Sequence, residues 1–384
     1  MTEAAAFERP GFFAKGQEPN EWGYSFGHPS WFDSVKREVL ATQGAVSVTD
    51  QSCYTKIMVE GPDATSCLNR ICANDVDVPI GKLIYTQWLN HKGGIEADVT
   101  ITRLTETKYL AVSIAASQVR DYYWLKKHIP DEARCFIYDV TSGMALLSVQ
   151  GPQSRALLER LSGADLSNDA FPFGTSKEIE IGYATVRATR VTYVGELGWE
   201  LNIPTEMTQY VYDKLFEVGA DFGIDDSGFF ALQSMRSEKG YRGWGHDIGP
   251  EDTPFEAGLK FAVKMDKSGG FIGRDALARQ LDLGPLVKRL VQFSIDEPGL
   301  LMHHEEPILL EGKIVGSIQS GNYGHRLGKS VGMGYIHHPE GVTADLLVSC
   351  DFEVEIATRR VRAQAQLGPW YDPKGDRIAK EADE

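Results

Sequence analysis

The sequence predicts an α+β protein made of two related α+β units followed by a small all-β domain. The first observation is a repeat: TKIMVEGPDATSCLNRI and MALLSVQGPQSRALLERL both read strand, V-[EQ]-G-P turn and helix, with proline near the helix start. The second is a change near residue 285 to short alternating strands separated by Gly and Pro, typical of a barrel or a sandwich. The third is the length of 384 residues, which exceeds one ordinary core.

The first half of the chain supplies the elements of the first unit. Residues 1–30 are rich in Pro, Gly and aromatic residues, which predicts an extension without regular structure. Its aromatic side chains could hold it to a surface by burial: Trp22, Tyr24, Phe26 and Trp31. Helical apolar spacing and strand alternation then predict, in order, helix 31–44, strand 55–61, helix 62–75, hairpin 85–103, strand 107–115 and helix 117–128.

The second half repeats the order of strand, turn and helix and then changes to short alternating strands. After the second V-[EQ]-G-P segment, strands are predicted within residues 178–203 and a helix at 205–219. The C-terminal strand candidates are VKRLVQFSID, EEPILLEGKIVGSIQSG, VGMGYIHH, ADLLVSC and RRVRAQAQ. We therefore divide the chain into an N-terminal extension (1–30), a central domain of two α+β units (31–284) and a C-terminal β domain (285–384).

Composition argues against several classes of partner. A formal net charge of −15 is unfavourable for nucleic-acid binding, which needs a basic face. The five cysteines are scattered and odd in number, which favours reduced thiols in a cytosol-like compartment. No secretory signal is visible, and no apolar run approaches the ~20 residues of a membrane helix. The expectation is a cytoplasmic protein with neither a membrane nor a nucleic-acid partner.

Motifs of other cofactor classes are absent from the sequence. No G-x-G-x-x-G opens a βαβ unit, no G-x-x-x-x-G-K-[ST] loop occurs, and there is no G-x-S-x-G elbow. The histidine pairs at 303–304 and 337–338 are adjacent, so their side chains diverge and do not have chelating spacing. The sequence therefore predicts neither a Rossmann dinucleotide site nor a P-loop, and no metal site.

The stretch YTQWLNHKGGIEADVT, residues 85–100, predicts a β-hairpin that turns at HKGG. Its second strand carries Asp98, although Asp is a poor strand former because its side chain competes for backbone hydrogen bonds. On composition alone, Asp98 points outward from a half-solvated sheet or lies at a bulge. The alternative is that the strand keeps Asp98 for function.

Four segments resemble the glycine-cleavage T-protein (aminomethyltransferase) family: YTQWLNHKGGIEADVT, TYVGELGWELNIP, ALQSMRSEKGYRGWGHDI and GPWYDPKG. The resemblance covers about residues 20–375. The sequence resembles most the folate-binding C-terminal half of dimethylglycine and sarcosine dehydrogenases, here without a flavin domain. The resemblance implies a T-protein-like folate-binding fold of two α+β units with a C-terminal β-barrel, and tetrahydrofolate as the cofactor.

The resemblance also implies the residues of a folate site. The family's folate-site acid falls on Asp98, which would act catalytically against the reduced pterin by steering a proton and stabilising positive charge. Tyr85 and Tyr371 fall on positions that contact folate, although Tyr85 could equally be a core tyrosine. Glu200 matches the Glu that binds the pterin ring, because one carboxylate can accept two parallel N–H bonds. Glu196 competes with it and is expected in a solvated turn.

One departure concerns residues 231–233, which read A-L-Q where T-proteins proper have A-R-D. The dehydrogenase-type relatives also have Leu there, so a lipoyl-bound substrate is less well supported. Arg236 is shared with both groups and is implied in folate binding, with a structural ion pair to Glu238 or Asp247 as the alternative. Four side chains could bind a methylated donor, by cation–π attraction at the aromatic ones, or could simply pack: Trp88, Tyr193, Trp244 and His246.

The function implied is a tetrahydrofolate-dependent methyltransferase or demethylase acting on a small N-, S- or O-methylated compound. The alternative is a non-catalytic folate-binding subunit that docks on a separate flavoprotein of the dimethylglycine or sarcosine oxidase type and traps formaldehyde as methylene-tetrahydrofolate. Family relatives associated with iron–sulfur maintenance carry K-G-C-Y-x-G-Q-E. This chain reads EKGYRGWGHDI, without the Cys, so that third class is discounted.

Overall fold

A computed structural model of the chain describes residues 1–15, 23, 25 and 27–379. The strands before residue 285 are, in chain order, β1 Thr2–Ala4, β2 Phe7–Arg9, β3 Val46–Asp50, β4 Thr55–Glu60, β5 Leu83–Leu89, β6 Ile95–Arg103, β7 Lys108–Ser113, β8 Phe136–Asp139, β9 Met144–Gln150, β10 Ser176–Ile181, β11 Ala184–Thr189, β12 Gly198–Pro204 and β13 Ile224–Asp226. Those after it are β14 Lys288–Ile295, β15 Pro307–Leu310, β16 Lys313–Gly324, β17 Lys329–His337, β18 Phe352–Ile356 and β19 Arg359–Gln366.

Helices cover the sheets and connect the strands. They are α1 Phe32–Gly44, α2 Ala64–Ile71, α3 Gln118–His128, α4 Ser154–Ser162, α5 Thr208–Gly219, α6 Phe229–Glu238, α7 Arg274–Asp282, α8 Ala344–Ser349 and α9 Asp376–Ala379. Within the described residues, no helix is both long enough and apolar enough to cross a bilayer. All five cysteines are free thiols.

The two units repeat one order of elements, which confirms the predicted pair of related α+β units. The first sheet runs β5-β6-β7-β4-β8, and the second runs β10-β11-β12-β9-β3-β13. The second order differs only by β3, which lies between β9 and β13. In each unit the helix after the V-[EQ]-G-P turn packs against a later helix, α2 against α3 and α4 against α5.

The glycine of each V-[EQ]-G-P turn explains why the motif is repeated. Gly61 and Gly151 have φ angles of +142° and +131°, which L side chains rarely adopt. A Cβ on Gly61 would lie 2.0 Å from the carbonyl oxygen of Arg134, and one on Gly151 would lie 2.3 Å from that of Ala45. Only glycine therefore allows the chain to leave the inner strand and enter the helix at these points.

The C-terminal domain is a closed barrel of six strands in the order β14-β17-β16-β15-β18-β19, with β19 pairing back to β14. Its interior is packed with apolar side chains that include Phe293, Ile318 and Phe352. Closure removes the free edges that an open sheet would expose. The structure thus selects the barrel over the sandwich, and the division at residue 285 stays a prediction, three residues before β14.

The segment ADLLVSC at residues 344–350 is a helix, so its prediction as a strand is wrong. Thr343 caps α8, because its side-chain oxygen accepts a hydrogen bond from the backbone N–H of Leu346 at 3.2 Å. Only Leu347 of this helix is buried, so the local cap decides the conformation more than core packing does.

The N-terminal extension is also more regular than predicted. Strands β1 and β2 pair as a short hairpin that turns through Ala5 and Ala6, whose φ angles are positive. Of the aromatic side chains expected to hold the extension, Trp31 stacks on Phe230 with ring centroids 4.9 Å apart. The other three, Trp22, Tyr24 and Phe26, lie outside the described residues.

Candidate functional site

The β5–β6 hairpin has one face packed in the core and an opposite face that carries Asp98. Trp88 and Ala97 are buried in the core beneath α2 and α3, and the Trp88 indole N–H donates to the Cys72 sulfur at 3.3 Å. The predicted substrate contact at Trp88 is therefore corrected to a core position. Because side chains alternate along a strand, Gln87 and Asp98, which pair across β5 and β6, lie on the opposite face. Asp98 thus lies in regular register and not at a bulge.

Asp98 is a half-buried carboxylate held by two donors. The Gln87 side-chain amide donates to Asp98 Oδ1 at 2.8 Å, and the Tyr85 hydroxyl also donates to the carboxylate. Burial raises the pKa of Asp98 to about 6, and the two donors and the Arg242 charge offset part of that rise. A carboxyl group with a pKa this close to neutrality can both hold and release a proton at physiological pH.

Two tyrosines connect Asp98 to the second sheet. The Tyr193 hydroxyl donates to the carbonyl oxygen of Arg242 at 2.8 Å. Burial raises the pKa of Tyr193, and the Asp98 charge adds to the rise. Burial also raises the pKa of Tyr54, to which the neighbouring Tyr193 and Glu200 contribute. Tyr193 is therefore a neighbour of Asp98, and Tyr54 is a neighbour of Tyr193 and Glu200.

Glu200 lies on β12 and presents a carboxylate that has no partner among the described residues. Burial raises its pKa to about 7, while the positive charge of Lys56 lowers it. The Lys56 ammonium itself donates to the backbone carbonyls of Ser52 and Tyr54, at 2.9 and 2.7 Å. A half-buried carboxylate that accepts no hydrogen bond from the described residues is available to a ligand that brings N–H groups.

Arg236 lies next to Tyr193 but is engaged in an ion pair. Its Nη1 is 2.6 Å from Asp247 Oδ2 and 3.0 Å from the carbonyl oxygen of Tyr241, and both charged side chains are fully buried. Ser320 of the barrel donates to the other oxygen of Asp247. The structure thus shows the ion pair with Asp247 that the sequence left as an alternative, and contact of Arg236 with folate stays a prediction.

Tyr371 and Glu196 belong to a different cluster. The Tyr371 hydroxyl donates to Glu196 Oε1 at 2.8 Å, and the Arg326 guanidinium lies 3.8 Å from the centre of the tyrosine ring. Glu196 is only 1% exposed and pairs with Arg326 and Arg377 at 2.9 and 2.5 Å. Its placement in a solvated turn is therefore wrong, because two arginines compensate its burial. The described contacts do not bring Tyr371 to Asp98 or Glu200.

Trp244 and His246 are the other two residues predicted as candidate binders of the methylated substrate. The Trp244 indole N–H donates to the carbonyl oxygen of Ile95 at 3.0 Å, and the Arg120 guanidinium lies 4.3 Å from the ring centre. Part of the Trp244 ring is therefore already covered by a cation of the protein itself. His246 is exposed to solvent. Among the described side chains, no group of three His, Cys, Asp or Glu residues is placed to hold a metal ion.

Four further side chains of this site were not predicted from the sequence: Tyr54, Lys56, Gln87 and Arg242. Two of them carried a detectable signal. Gln87 lies two residues after Tyr85, so strand alternation places both on one face. Lys56 directly precedes the apolar run 57–59 of β4, where a charged side chain is as unexpected as Asp98 is in β6. Tyr54 and Arg242 lie outside regular elements, and no local pattern marks them.

Comparison with known proteins identifies the family of this chain. The family described as the GCVT N-terminal domain matches residues 1–267, and the glycine cleavage T-protein C-terminal barrel domain matches residues 288–372. The chain belongs to the glycine-cleavage T-protein family. An aminomethyltransferase from Listeria innocua is 31% identical to it over 89% of this chain and 91% of its own length. The glycine cleavage system aminomethyltransferase T from Bartonella henselae superposes with a TM-score of 0.78 at 25% identity, covering 92% of this chain and 94% of its own.

Longer relatives extend the T-protein likeness to demethylating enzymes. A 4-methylaminobutanoate oxidase (formaldehyde-forming) from Paenarthrobacter nicotinovorans is 40% identical over 95% of this chain. The human mitochondrial sarcosine dehydrogenase is 37% identical over 92% of it. The chain spans only 43% and 40% of the lengths of these two relatives. They confirm the predicted resemblance to the dehydrogenase-type members of the family.

The T-protein family is folate-binding, and the residues of this site fit tetrahydrofolate. The unpaired carboxylate of Glu200 can accept the parallel N–H groups of an amino-pyrimidine edge. The carboxylate of Asp98 offers a second acceptor across the site, where a reduced pterin carries further N–H groups. The phenol rings of Tyr193 and Tyr54 neighbour these carboxylates and suit a flat heterocycle.

Proposed function

We propose that this chain is a tetrahydrofolate-dependent enzyme that moves a one-carbon group from a small methylated compound to the cofactor. The observation that carries the proposal is the presence of two half-buried carboxylates with different surroundings. Asp98 is held by Tyr85 and Gln87, whereas Glu200 has no hydrogen-bond partner among the described residues. Carboxylates placed in such different environments take different roles in one reaction.

Each side chain then has a distinct task. Glu200 binds and orients the pterin through its N–H groups, and the neighbouring tyrosines exclude water from the ring. Tyr85 and Gln87 fix the direction of the Asp98 carboxylate. Tetrahydrofolate, when bound, supplies the nitrogen that accepts the one-carbon unit. Asp98 takes the proton that this nitrogen releases, and its pKa of about 6 suits that transfer near neutral pH.

The two carboxylates of the site attract a cationic donor, and the charges of Lys56 and Arg242 offset part of that attraction. In methyl transfer from an ammonium or sulfonium compound, the bond between the methyl carbon and the heteroatom breaks, and the donor keeps the electron pair. A site with two carboxylates and half-buried tyrosine rings stabilises such a cation better than a neutral molecule. Holding donor and acceptor in line would supply much of the rate enhancement by proximity. The product is 5-methyl-tetrahydrofolate.

A second function is supported by the longer relatives. The chain spans 43% of an oxidase whose name states that it forms formaldehyde. In this case a separate flavoprotein would oxidise the methylamine, and this chain would bind tetrahydrofolate and receive formaldehyde. Formaldehyde and tetrahydrofolate then condense to 5,10-methylene-tetrahydrofolate with loss of one water. No bond of the methylated donor is broken at Asp98.

The two functions differ in what the purified chain does alone. We expect it to form 5-methyl-tetrahydrofolate from tetrahydrofolate and an onium methyl donor, measured by liquid chromatography and mass spectrometry, without any flavoprotein. Dimethylglycine, sarcosine, 4-methylaminobutanoate and formaldehyde form parallel arms. Product from formaldehyde alone, faster than without protein, would support the flavoprotein-associated function instead. Tetrahydrofolate at 100 times its Kd should stabilise the fold by about 2.7 kcal/mol, and no stabilisation would contradict both functions.

Glu200→Gln should weaken tetrahydrofolate binding more than it slows the chemical step. The amide keeps the shape but replaces one acceptor oxygen by a donor, and a charge-assisted hydrogen bond is worth ~1.5–3 kcal/mol. The expected loss is therefore about 10- to 150-fold in Kd, measured by calorimetry. Glu180→Gln, an exposed carboxylate on β10, is the matched control and should leave Kd unchanged.

The pH dependence of binding provides a second test of Glu200. Its pKa of about 7 means that the free protein is increasingly protonated at Glu200 below pH 7, and a ligand that needs the carboxylate must then displace that proton. The affinity of the wild-type chain should fall as the pH is lowered from 8 to 6, whereas that of Glu200→Gln should stay flat. An equal Kd in both proteins across this range would show that Glu200 does not bind the cofactor.

A further inference from the structure

Phe261 is an exposed aromatic side chain that is joined to the folate site. It lies in the short 3₁₀ turn Lys260–Ala262, and its side chain is 74% exposed. Its ring stacks on that of Tyr85, with centroids 6.0 Å apart and an interplanar angle of 28°. The Tyr85 hydroxyl in turn donates to Asp98. One line of contacts therefore leads from the reacting carboxylate to a ring on the surface.

The turn is anchored so that the ring points outward. Leu259 and Ala262, on either side of Phe261, are 2% and 1% exposed, and Leu259 belongs to the apolar core that Tyr85 also contacts. Phe261 itself does not fill that core, so core packing does not account for an aromatic residue at this position. A single exposed apolar residue is ordinary in soluble proteins. Phe261, however, also contacts Tyr85 and therefore lies beside the proposed folate site.

The ligand class follows from the chemistry of the cofactor, and the argument rests on the proposed function. Tetrahydrofolate consists of a reduced pterin, a p-aminobenzoyl ring and a glutamate tail. If the pterin lies between Asp98 and Glu200, the benzoyl ring is the next group toward solvent. We propose that Phe261 and Tyr85 form the wall on which the p-aminobenzoyl ring stacks. Phe261 is thus a positioning residue that holds the tail of the cofactor and leaves the reacting atoms to Asp98.

A pterin without the tail tests this assignment. Binding of tetrahydrofolate and of 6-methyltetrahydropterin, which lacks the aminobenzoyl-glutamate, is measured by calorimetry for the wild-type chain, Phe261→Ala and Phe261→Trp. Phe261→Ala should lose about tenfold in affinity for tetrahydrofolate, the usual scale of an aromatic contact with its buried area. Its affinity for the methylpterin should equal that of the wild type. Phe261→Trp should keep tetrahydrofolate affinity within about twofold.

Controls separate the possible failures. Tyr183→Ala removes a 91% exposed aromatic elsewhere and should change neither affinity. If the wild-type chain binds tetrahydrofolate and Phe261→Ala binds it equally well, the proposed stacking wall is wrong while the proposed function stands. If both ligands weaken equally in Phe261→Ala, the residue acts only through Tyr85 and the assignment is again wrong. If the wild-type chain binds neither ligand, the proposed function itself fails. Thermal unfolding of each variant confirms that the turn is intact.

Discussion

Asp98→Asn should leave the chain folded and lower its turnover by about 10²- to 10⁴-fold, the usual range for a positioned acid–base group. The amide cannot take a proton near neutral pH, although it can still accept one hydrogen bond. The affinity for tetrahydrofolate should therefore fall much less than turnover does. The turnover number, the cofactor Kd and the unfolding temperature are to be measured on one preparation.

Stability should move in the opposite direction to activity. Burial raises the pKa of Asp98 from its ordinary value of 3.8 to about 6, so the folded chain binds this proton more tightly than the unfolded chain does. The stabilisation that results is present at low pH and is lost as the pH rises through about 6. At pH 7.5 the ionised carboxylate lowers the free energy of unfolding, so Asp98→Asn should be as stable as the wild type or more stable. This advantage should disappear toward pH 4.

The Glu180→Gln variant again serves as the control, since it changes an exposed strand carboxylate in the same way. It should retain full turnover and the wild-type unfolding temperature. A clearly destabilised but fully active Asp98→Asn variant would contradict the catalytic role. That outcome would favour the function in which a flavoprotein performs the oxidation and this chain only holds the cofactor. Higher stability with lost activity is the signature of a residue kept for function.

Arg326→Met should produce the largest loss of stability, about 3–5 kcal/mol in the free energy of unfolding. The Arg326 side chain is fully buried and forms ion pairs with Glu196 and Glu238, which removal of the guanidinium would leave buried. It also donates to the backbone carbonyl oxygens of Val194 and Met235 at 2.9 and 2.8 Å. Since Arg326 follows the barrel strand β16, its loss should loosen the contact between the barrel and the central domain.

Urea denaturation monitored by tryptophan fluorescence would measure this effect. Arg362→Met is the matched control, because its ion pair with Asp351 is more than three-quarters exposed on both sides and should contribute at most about 1 kcal/mol. Adding Glu238→Gln to Arg326→Met should recover part of the loss by removing the uncompensated charge. Equal effects of Arg326→Met and Arg362→Met would show that the buried cluster does not hold the two domains together.

The local elements of the fold were readable from the sequence because the rules behind them act over a few residues. Alternation and the turn at HKGG predicted the β5–β6 hairpin that carries Asp98, and the repeated V-[EQ]-G-P turn predicted two related units. Helix α8 shows the limit of this approach. Its apolar residues are typical of a strand, but the cap supplied by Thr343 stabilises a helix.

The fates of Glu196 and Glu200 show what only the tertiary structure decided. The two glutamates lie four residues apart in the segment GELGWE, and no local pattern separates them. Glu196 meets Arg326, 130 positions later in the chain, and becomes part of an ion cluster between domains. Glu200 meets no such cation at hydrogen-bonding distance among the described residues, and its carboxylate stays available to a ligand. The sequence sets which residue types are present, but the cost of burying a charge depends on distant partners that only the folded chain brings together.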